Sequence, residues 1–332
     1  MGDEFRWNIA GMGVLPAAFE EVTTYPLGFK LEGGLGVQYE PVFLEGTLEG
    51  GVHDTDASPL GVDHYDVTTP FNFTLSGGLA IRDSFFLRLG RHHYEKTEVE
   101  AILTNRAFSA AANFANIVPD LGILGAEALY RIDNEDGSLR ELKTNVAYFY
   151  SKDRSHFGIV EGLVTLGLEE HSDAPTLTLA AYGTVQPEAE ASSIKARDGL
   201  VHGQGLAASL DYGIFSGAVG FAHRYGAFPA EASEERSAVT LAITLAPDNF
   251  LFRGAYSWIS QSTTPDGQSH PPIALSENHF EVSVGYHPSD SFLVSAGYRG
   301  AHGERYASNQ IFMGLQTAFA GVVPFAKDPT AR

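Results

Sequence analysis

Hydrophobic and polar residues alternate along most of the chain with a period of two. The segment from Glu277 to Gly300 shows the pattern clearly, because two alternating runs flank a short turn at 287–290. The first run places its large apolar side chains at one parity, at Phe280, Val282, Val284 and Tyr286. This pattern predicts a β-hairpin with one apolar and one polar face. The apolar face could pack in a soluble core, or it could meet lipid while the polar face lines a lumen.

The same alternation recurs in about sixteen segments, which predicts an all-β protein. Their approximate bounds are 5–14, 27–39, 42–53, 71–82, 85–103, 121–133, 139–151, 156–169, 176–186, 200–212, 214–226, 236–245, 249–260, 278–287, 291–301 and 308–319. Tight connections, such as Glu40-Pro41 and Pro247-Asp248, alternate with longer ones, such as 54–70 and 261–277. Up-and-down membrane barrels have short turns at one end and longer loops at the other.

The two faces of the predicted strands favour the membrane alternative. One parity carries large apolar residues, for example Leu35, Val37 and Tyr39, or Val239, Leu241 and Ile243. The other parity is small or polar, and aromatic residues concentrate towards strand ends, as at Tyr148, Phe250 and Phe292. Aromatic side chains at both ends of apolar segments are typical of the two interfaces of a bilayer. Strands in lipid must close into a barrel, because unpaired edge groups are costly there.

Composition removes several classes of function. The chain has 332 residues and a formal net charge of -20, which argues against nucleic acid as a partner. It contains no Cys, and its sequence holds no run of about twenty apolar residues that could form a spanning helix. The first residues, Met1-Gly2-Asp3-Glu4, lack the features of a signal peptide. If the protein is in a membrane, we expect that its signal peptide was removed or replaced; otherwise it is soluble.

The final alternating segment ends in an aromatic residue. It reads Ser308-Asn309-Gln310-Ile311-Phe312-Met313-Gly314-Leu315-Gln316-Thr317-Ala318-Phe319. With this ending, the strand number and the alternating connections, the chain resembles a bacterial outer-membrane porin-type β-barrel over residues 5–319. The resemblance implies a transmembrane up-and-down antiparallel barrel of about 16 strands at 1–319, a C-terminal tail at 320–332, and a location in the outer membrane of a Gram-negative bacterium. Two features differ from the class: the tail itself, and the absence of an acidic Pro-Glu-Phe-type signature in the constriction loop.

Charged residues at the inward parity are the candidate pore-lining residues. They are Lys30, Glu32, Glu45, Glu49, Arg88, Glu127, Arg131, Lys143, Glu161, Arg253, Glu281 and Arg299. The segment 104–120 is apolar enough to fold against the barrel, and we expect it to narrow the lumen as a constriction loop. Its candidate residues are Asn105, Arg106, Phe108, Asn113, Phe114 and Asn116.

The resulting hypothesis is passive diffusion of small hydrophilic solutes or ions, with a mild preference for cations. Acidic loop residues such as Asp54, Asp56, Glu234 and Glu235 would attract cations at the mouth. A second hypothesis is a non-conducting barrel that scaffolds or sheaths a partner protein in an electron-transfer or export complex, and a third is a soluble all-β protein. No catalytic motif, metal site or cofactor site is identified. The expected partners are outer-membrane lipid, small solutes or ions, and either further copies of the chain or a partner protein.

Overall fold

The computed structural model describes most of the chain. The described residues are 4–20, 28–52, 72–81, 84–92, 97–104, 123–134, 137–150, 156–169, 174–191, 196–229, 232–264, 273–289, 291–304 and 307–324. They form sixteen strands and one short helix. Within these ranges no helix is long and apolar enough to cross a membrane.

The elements follow one another in a simple order. Strands β1 to β5 are Glu4–Glu20, Gly28–Tyr39, Val42–Val52, Asn72–Ile81 and Phe85–His92, and helix α1 is Glu98–Thr104. Strands β6 to β11 are Ile123–Asp133, Leu139–Tyr150, His156–Gly167, Thr176–Ala191, Ala196–Tyr212 and Phe215–Ala227. Strands β12 to β16 are Ser233–Leu245, Phe250–Thr264, Ile273–Ser289, Phe292–Gly303 and Ala307–Pro324.

Each strand pairs antiparallel with its neighbours in sequence, and the sheet closes on itself. Strand β1 pairs with β2 on one side and with β16 on the other, so that Ile9 lies opposite both Gly33 and Phe319. Closure means that none of the described strands lies at an open edge of the sheet. The predicted all-β, antiparallel barrel of about sixteen strands is confirmed.

The alternation in the sequence becomes an outer and an inner face. In β14, the side chain of Val282 is 62% exposed on the outside, whereas its neighbour Glu281 is 1% exposed on the inside. The same parity continues through the registered partners in β13 and β15, because antiparallel partners lie on the same face. The apolar outer face is what lipid requires of a barrel wall.

Several strands extend beyond their predicted bounds, as β1 does to Glu20, and two further differences change how a segment is assigned. The predicted strand 85–103 ends early, because β5 stops at His92 and residues 98–104 form α1 instead. At the C-terminus, β16 continues to Pro324, which lies opposite Glu4 of β1. The first five residues of the predicted tail 320–332 therefore belong to the barrel wall, and residues 325–332 lie outside the described residues.

Candidate functional site: the inner face of the barrel and helix α1

Helix α1 lies inside the barrel, against the inner face of β8 to β12. Its residues Val99 and Leu103 are fully buried, and Ile102 is partly buried against the same cluster. The wall contributes an inner apolar patch, formed by Ala147, Phe149, Phe157, Ile159, Leu163, Ala180, Tyr182, Ala207, Ala222, Ala238 and Ile259. The patch and the helix bury each other's apolar surface, so one side of the lumen is filled.

The local sequence explains why this segment turns into a helix. Thr97 and Glu100 form a reciprocal capping box: the Thr97 backbone N–H donates to Glu100 Oε2 at 2.8 Å, and the Glu100 N–H donates to Thr97 Oγ1 at 3.1 Å. These bonds satisfy backbone donors at the helix start that would otherwise lack partners. Val99, Ile102 and Leu103 follow at spacings of three and four residues, which places them on one face.

A glycine in the wall makes room for the helix. Gly220 of β11 lies under Leu103, and a Cβ atom at Gly220 would be 2.5 Å from Leu103 Cδ1. Such a distance is far below normal van der Waals contact, so a side chain at 220 would require either the Leu103 side chain or the helix to shift. The close approach of α1 to β11 therefore depends on the absence of a side chain at Gly220.

The N-terminal end of α1 is held by polar contacts to β7 and β8. The backbone N–H of Glu98 donates to Glu161 Oε2 at 2.8 Å, and the Lys143 ammonium forms an ion pair with the Glu98 carboxylate. The Asn145 amide also donates to Glu161, at 3.5 Å. A carboxylate near the start of a helix interacts favourably with the helix dipole.

The C-terminal end of α1 is held from β13, the strand next to those that α1 packs against. The Arg253 guanidinium of β13 donates a hydrogen bond through Nη2 to the backbone carbonyl of Leu103. Arg253 is only 3% exposed. A cation at the last carbonyls of a helix is electrostatically favourable. The barrel thus presents an anion to one end of α1 and a cation to the other.

A second polar network continues along the inner face from β3 to β7. Arg88 forms ion pairs with Glu45 at 2.7 Å and with Glu127 at 3.4 Å. Ser76 Oγ donates to Glu45 at 3.1 Å, and the Asn145 amide donates to Glu127 at 2.8 Å. Asn145 therefore joins this network to the contacts that hold α1. The Arg88 and Glu45 side chains remain 34% and 39% exposed, so solvent reaches them.

A third group of charges lies close to the short turn between β6 and β7. Arg131 Nε is 2.8 Å from Asp133 and 3.4 Å from Glu141. Among the residues with described side chains, no group of three or more His, Asp or Glu residues is arranged to hold a metal ion. The site is therefore best described as a set of ion pairs around a lumen that α1 narrows.

The fold has counterparts among solved structures. The OmpT loop-L8 deletion mutant of Vibrio cholerae superposes with a TM-score of 0.65 at 11% identity, over 96% of this chain and 99% of that one. The anion-selective porin from Comamonas acidovorans gives 0.62 at 11% identity, over 96% and 100%. OmpF of Salmonella typhi, in a complex with daunomycin, gives 0.61 at 13% identity, over 96% and 97%.

The chain has the porin-type outer-membrane barrel fold. No protein-family model matches the sequence, and no curated protein sequence matches it either. At this level of identity the shared property is the fold, and the chemistry of the lumen belongs to this chain.

The porin-type fold brings eight of the predicted pore-lining residues to its inner face with described side chains. Glu45, Arg88, Glu127, Arg131 and Lys143 are partly or fully exposed there. Glu161, Arg253 and Glu281 also lie on the inner face, but they are buried and thus shielded from lumen solvent. For Lys30, Glu32, Glu49 and Arg299 only the backbone is described; Arg299 is the registered partner of Glu281.

The predicted constriction loop falls largely outside the described residues. This holds for all six of its candidates, Asn105, Arg106, Phe108, Asn113, Phe114 and Asn116. The helix that immediately precedes them was missed, as were its wall contacts Phe149 and Ile159. Two signals in the sequence mark them: the Thr97-x-x-Glu100 capping pattern, and the apolar residues at both parities of β8, where Ile159 and Val160 are neighbours.

Proposed function

We propose that the protein is a diffusion channel of the bacterial outer membrane for small hydrophilic solutes or ions. The observation that carries this proposal is a closed barrel of sixteen strands whose inner face combines solvent-exposed ion pairs with a docked helix on one side. Barrels of about sixteen strands are wide enough to hold an aqueous channel. Because α1 fills one side, solutes pass between α1 and the polar wall of β3 to β7.

The size limit of the channel follows from the position of α1. Ala101 lies on the exposed side of the helix, opposite the buried Val99 and Leu103, so it faces the remaining lumen. The wall on the other side carries Arg88, Glu45 and Glu127. Solutes therefore cross a short region between α1 and a charged wall, and the width of that space sets the size limit of the channel.

We further propose a mild preference for cations that originates at the mouths of the channel. The charges described on the inner face are largely paired, Arg88 with Glu45 and Glu127, and Lys143 with Glu98. Paired charges nearly cancel beyond their immediate surroundings. The formal charge of -20 must then act mainly from the rest of the chain, including the acidic connecting segments. Such a surface field concentrates cations near the entrance.

Chemical modification of α1 tests the proposal. The sequence contains no Cys, so Ala101→Cys introduces a unique thiol. We expect a small charged methanethiosulfonate reagent to reduce the single-channel current of this variant in planar bilayers. Val284→Cys, on the outer face, is the matched control and should carry an unchanged current after the same treatment. If modification of the thiol at 101 leaves the single-channel current unchanged, α1 does not border the conducting path.

A further inference from the structure

A hollow lies in the inner wall of the barrel, at the end of the lumen where the short turns are. Its volume is about 150 Å³, and strands β2 to β5 form its lining. Gln38 and Phe43 are paired next to the turn at 40–41, which joins β2 to β3. Ala80 and Phe86 are paired next to the turn that joins β4 to β5. Helix α1 packs against β8 to β12, so this β2–β5 hollow belongs to a different part of the wall.

The register of the strands explains why the wall is recessed at this place. Along one row of paired residues, Phe43 lies opposite Gly78, and Gly78 lies opposite Arg88. Gly78 has no side chain to fill the space between its two neighbours, and a Cβ atom there would clash with the backbone of β5. In the next row, Gly36 is the partner of Glu45. Large side chains therefore border the β2–β5 hollow, while glycines leave its floor open.

The lining of the hollow combines aromatic rings with a carboxylate. The side chains of Phe43 and Phe86 are partly exposed, and their rings are the largest apolar groups of the lining. Glu45 lines the same hollow, and solvent reaches its carboxylate. The face of an aromatic ring attracts a cation through its quadrupole, and a carboxylate attracts a cation through its charge. Two rings beside an acid therefore favour a cationic ligand.

The ion pairs around Arg88 leave an excess of negative charge beside the hollow. The Arg88 guanidinium is 2.7 Å from Glu45 and 3.4 Å from Glu127, so two carboxylates share one cation. Two negative groups and one positive group give this set of three side chains a formal charge of -1. An anionic ligand would be repelled by that excess, whereas a cationic ligand would neutralise it.

We propose that the β2–β5 hollow binds small organic cations of the alkylated ammonium class. Contact with phenyl rings removes water from a ligand, which is costly for Na⁺ and K⁺ but not for an ammonium whose charge is covered by methyl groups. A cavity of about 150 Å³ holds a molecule the size of benzene, and a trimethylammonium group is of similar size. The role of the hollow in selecting solutes rests on the channel function proposed above, whereas binding itself does not require conduction.

Three ligands of nearly the same shape and different charge test the proposal. Choline carries a trimethylammonium group, 3,3-dimethylbutan-1-ol is its uncharged isostere, and 3,3-dimethylbutanoate joins the same branched group to a negative charge. The purified barrel, identified by heat-modifiable gel mobility, is held in octyl glucoside micelles at about pH 8, where His92, 3.6 Å from Glu127, is neutral. Binding is measured as the broadening of each ligand's methyl proton resonance by the barrel, relative to micelles alone.

The expected result is that choline binds about tenfold more tightly than its uncharged isostere and that the anion binds most weakly. Phe86→Ala removes one ring and should weaken choline binding about fivefold. Phe85→Ala is the matched control, because the neighbouring Phe85 side chain lies on the outer face, and this variant should bind choline like the native protein. Glu45→Gln keeps the size of the side chain but removes its charge, so it should weaken the binding of choline and not that of the isostere.

Equal binding of choline and its uncharged isostere by the native barrel would overturn the proposal, and this comparison needs no variant to fold. Undiminished choline binding in an assembled Phe86→Ala barrel would also overturn it. A barrel that binds choline but carries no current would refute the channel function while leaving the binding site in place. A conducting barrel that shows no preference for choline would refute the site while leaving the channel function in place.

Discussion

Adding a single methyl group at Gly220 should displace α1 from the inner wall of the barrel. In Gly220→Ala the new Cβ would lie 2.5 Å from Leu103 Cδ1 and 3.0 Å from Cδ2, and Leu103 is itself fully buried. Overpacking of this kind costs about 1–3 kcal/mol. Burial of Val99 and Leu103 contributes about 1.5–3 kcal/mol each to holding the helix. The substitution therefore removes a large part of the docking free energy of α1.

The opposite substitution, Leu103→Ala, weakens the same contact by leaving a cavity, at a cost of about 2–5 kcal/mol. In the double variant, the smaller side chain at 103 leaves space for the methyl group at 220. The two effects should therefore be less than additive, with a coupling of about 0.5–3 kcal/mol in the stabilising direction. Gly183→Ala is the matched control, because a Cβ at Gly183 would have nothing within 4 Å.

Two readouts separate movement of the helix from damage to the barrel. Single-channel conductance should rise in Gly220→Ala and in Leu103→Ala and return towards the native value in the double variant. The rate of thiol modification at Ala101→Cys, measured in each of these variants, should follow the conductance: changed in the two single variants and closer to the native value in the double variant. Heat-modifiable gel mobility must be retained in all of them. Strictly additive effects, or a Gly220→Ala variant that behaves like Gly183→Ala, would refute the contact between Leu103 and Gly220.

Three further predictions follow from the wall and its charges. Val282→Arg, on the outer face near mid-membrane, should cost about 2–4 kcal/mol and reduce the yield of heat-modifiable barrel, whereas Val282→Leu should assemble normally. Lys143→Met removes the ion pair with Glu98 and should weaken docking of α1 by about 1.5–3 kcal/mol. The weaker docking should appear as faster thiol modification at Ala101→Cys, whereas Lys143→Arg should leave that rate unchanged. Reversal potentials across a KCl gradient should show mild cation preference that fades as salt rises, because the Debye length is about 10 Å at 0.1 M; anion preference at low salt would contradict the acidic-mouth proposal.

The wall of the barrel could be predicted from the sequence because the information is local. A period of two fixes which residues share a face, so Val282 and Glu281 are assigned to opposite sides without knowledge of their neighbours. The ends of the strands are also marked locally, by turn residues such as Glu40-Pro41. The inward placement of Glu45, Arg88 and Glu127 follows from the same rule.

The interior could not be predicted to the same extent, because its contacts join distant parts of the chain. The bond between Arg253 and Leu103 spans 150 residues, and the bond between Glu98 and Glu161 spans 63. Alternation alone assigns Arg253 and Glu161 to the lumen, but it does not show that a helix covers them. Residues 98–103 were included in the predicted strand 85–103, whereas the capping box of Thr97 and Glu100 starts a helix there.

The current carried by the purified, correctly assembled barrel tests the central claim most directly. Protein that shows heat-modifiable mobility is added to a planar bilayer in KCl, and current is recorded at constant voltage. A water-filled lumen narrowed by α1 predicts discrete, stepwise increases in conductance of uniform size as single barrels insert. Insertion without any conductance, demonstrated by protease protection of the inserted barrel, would contradict a diffusion channel and would favour a barrel that scaffolds a partner protein.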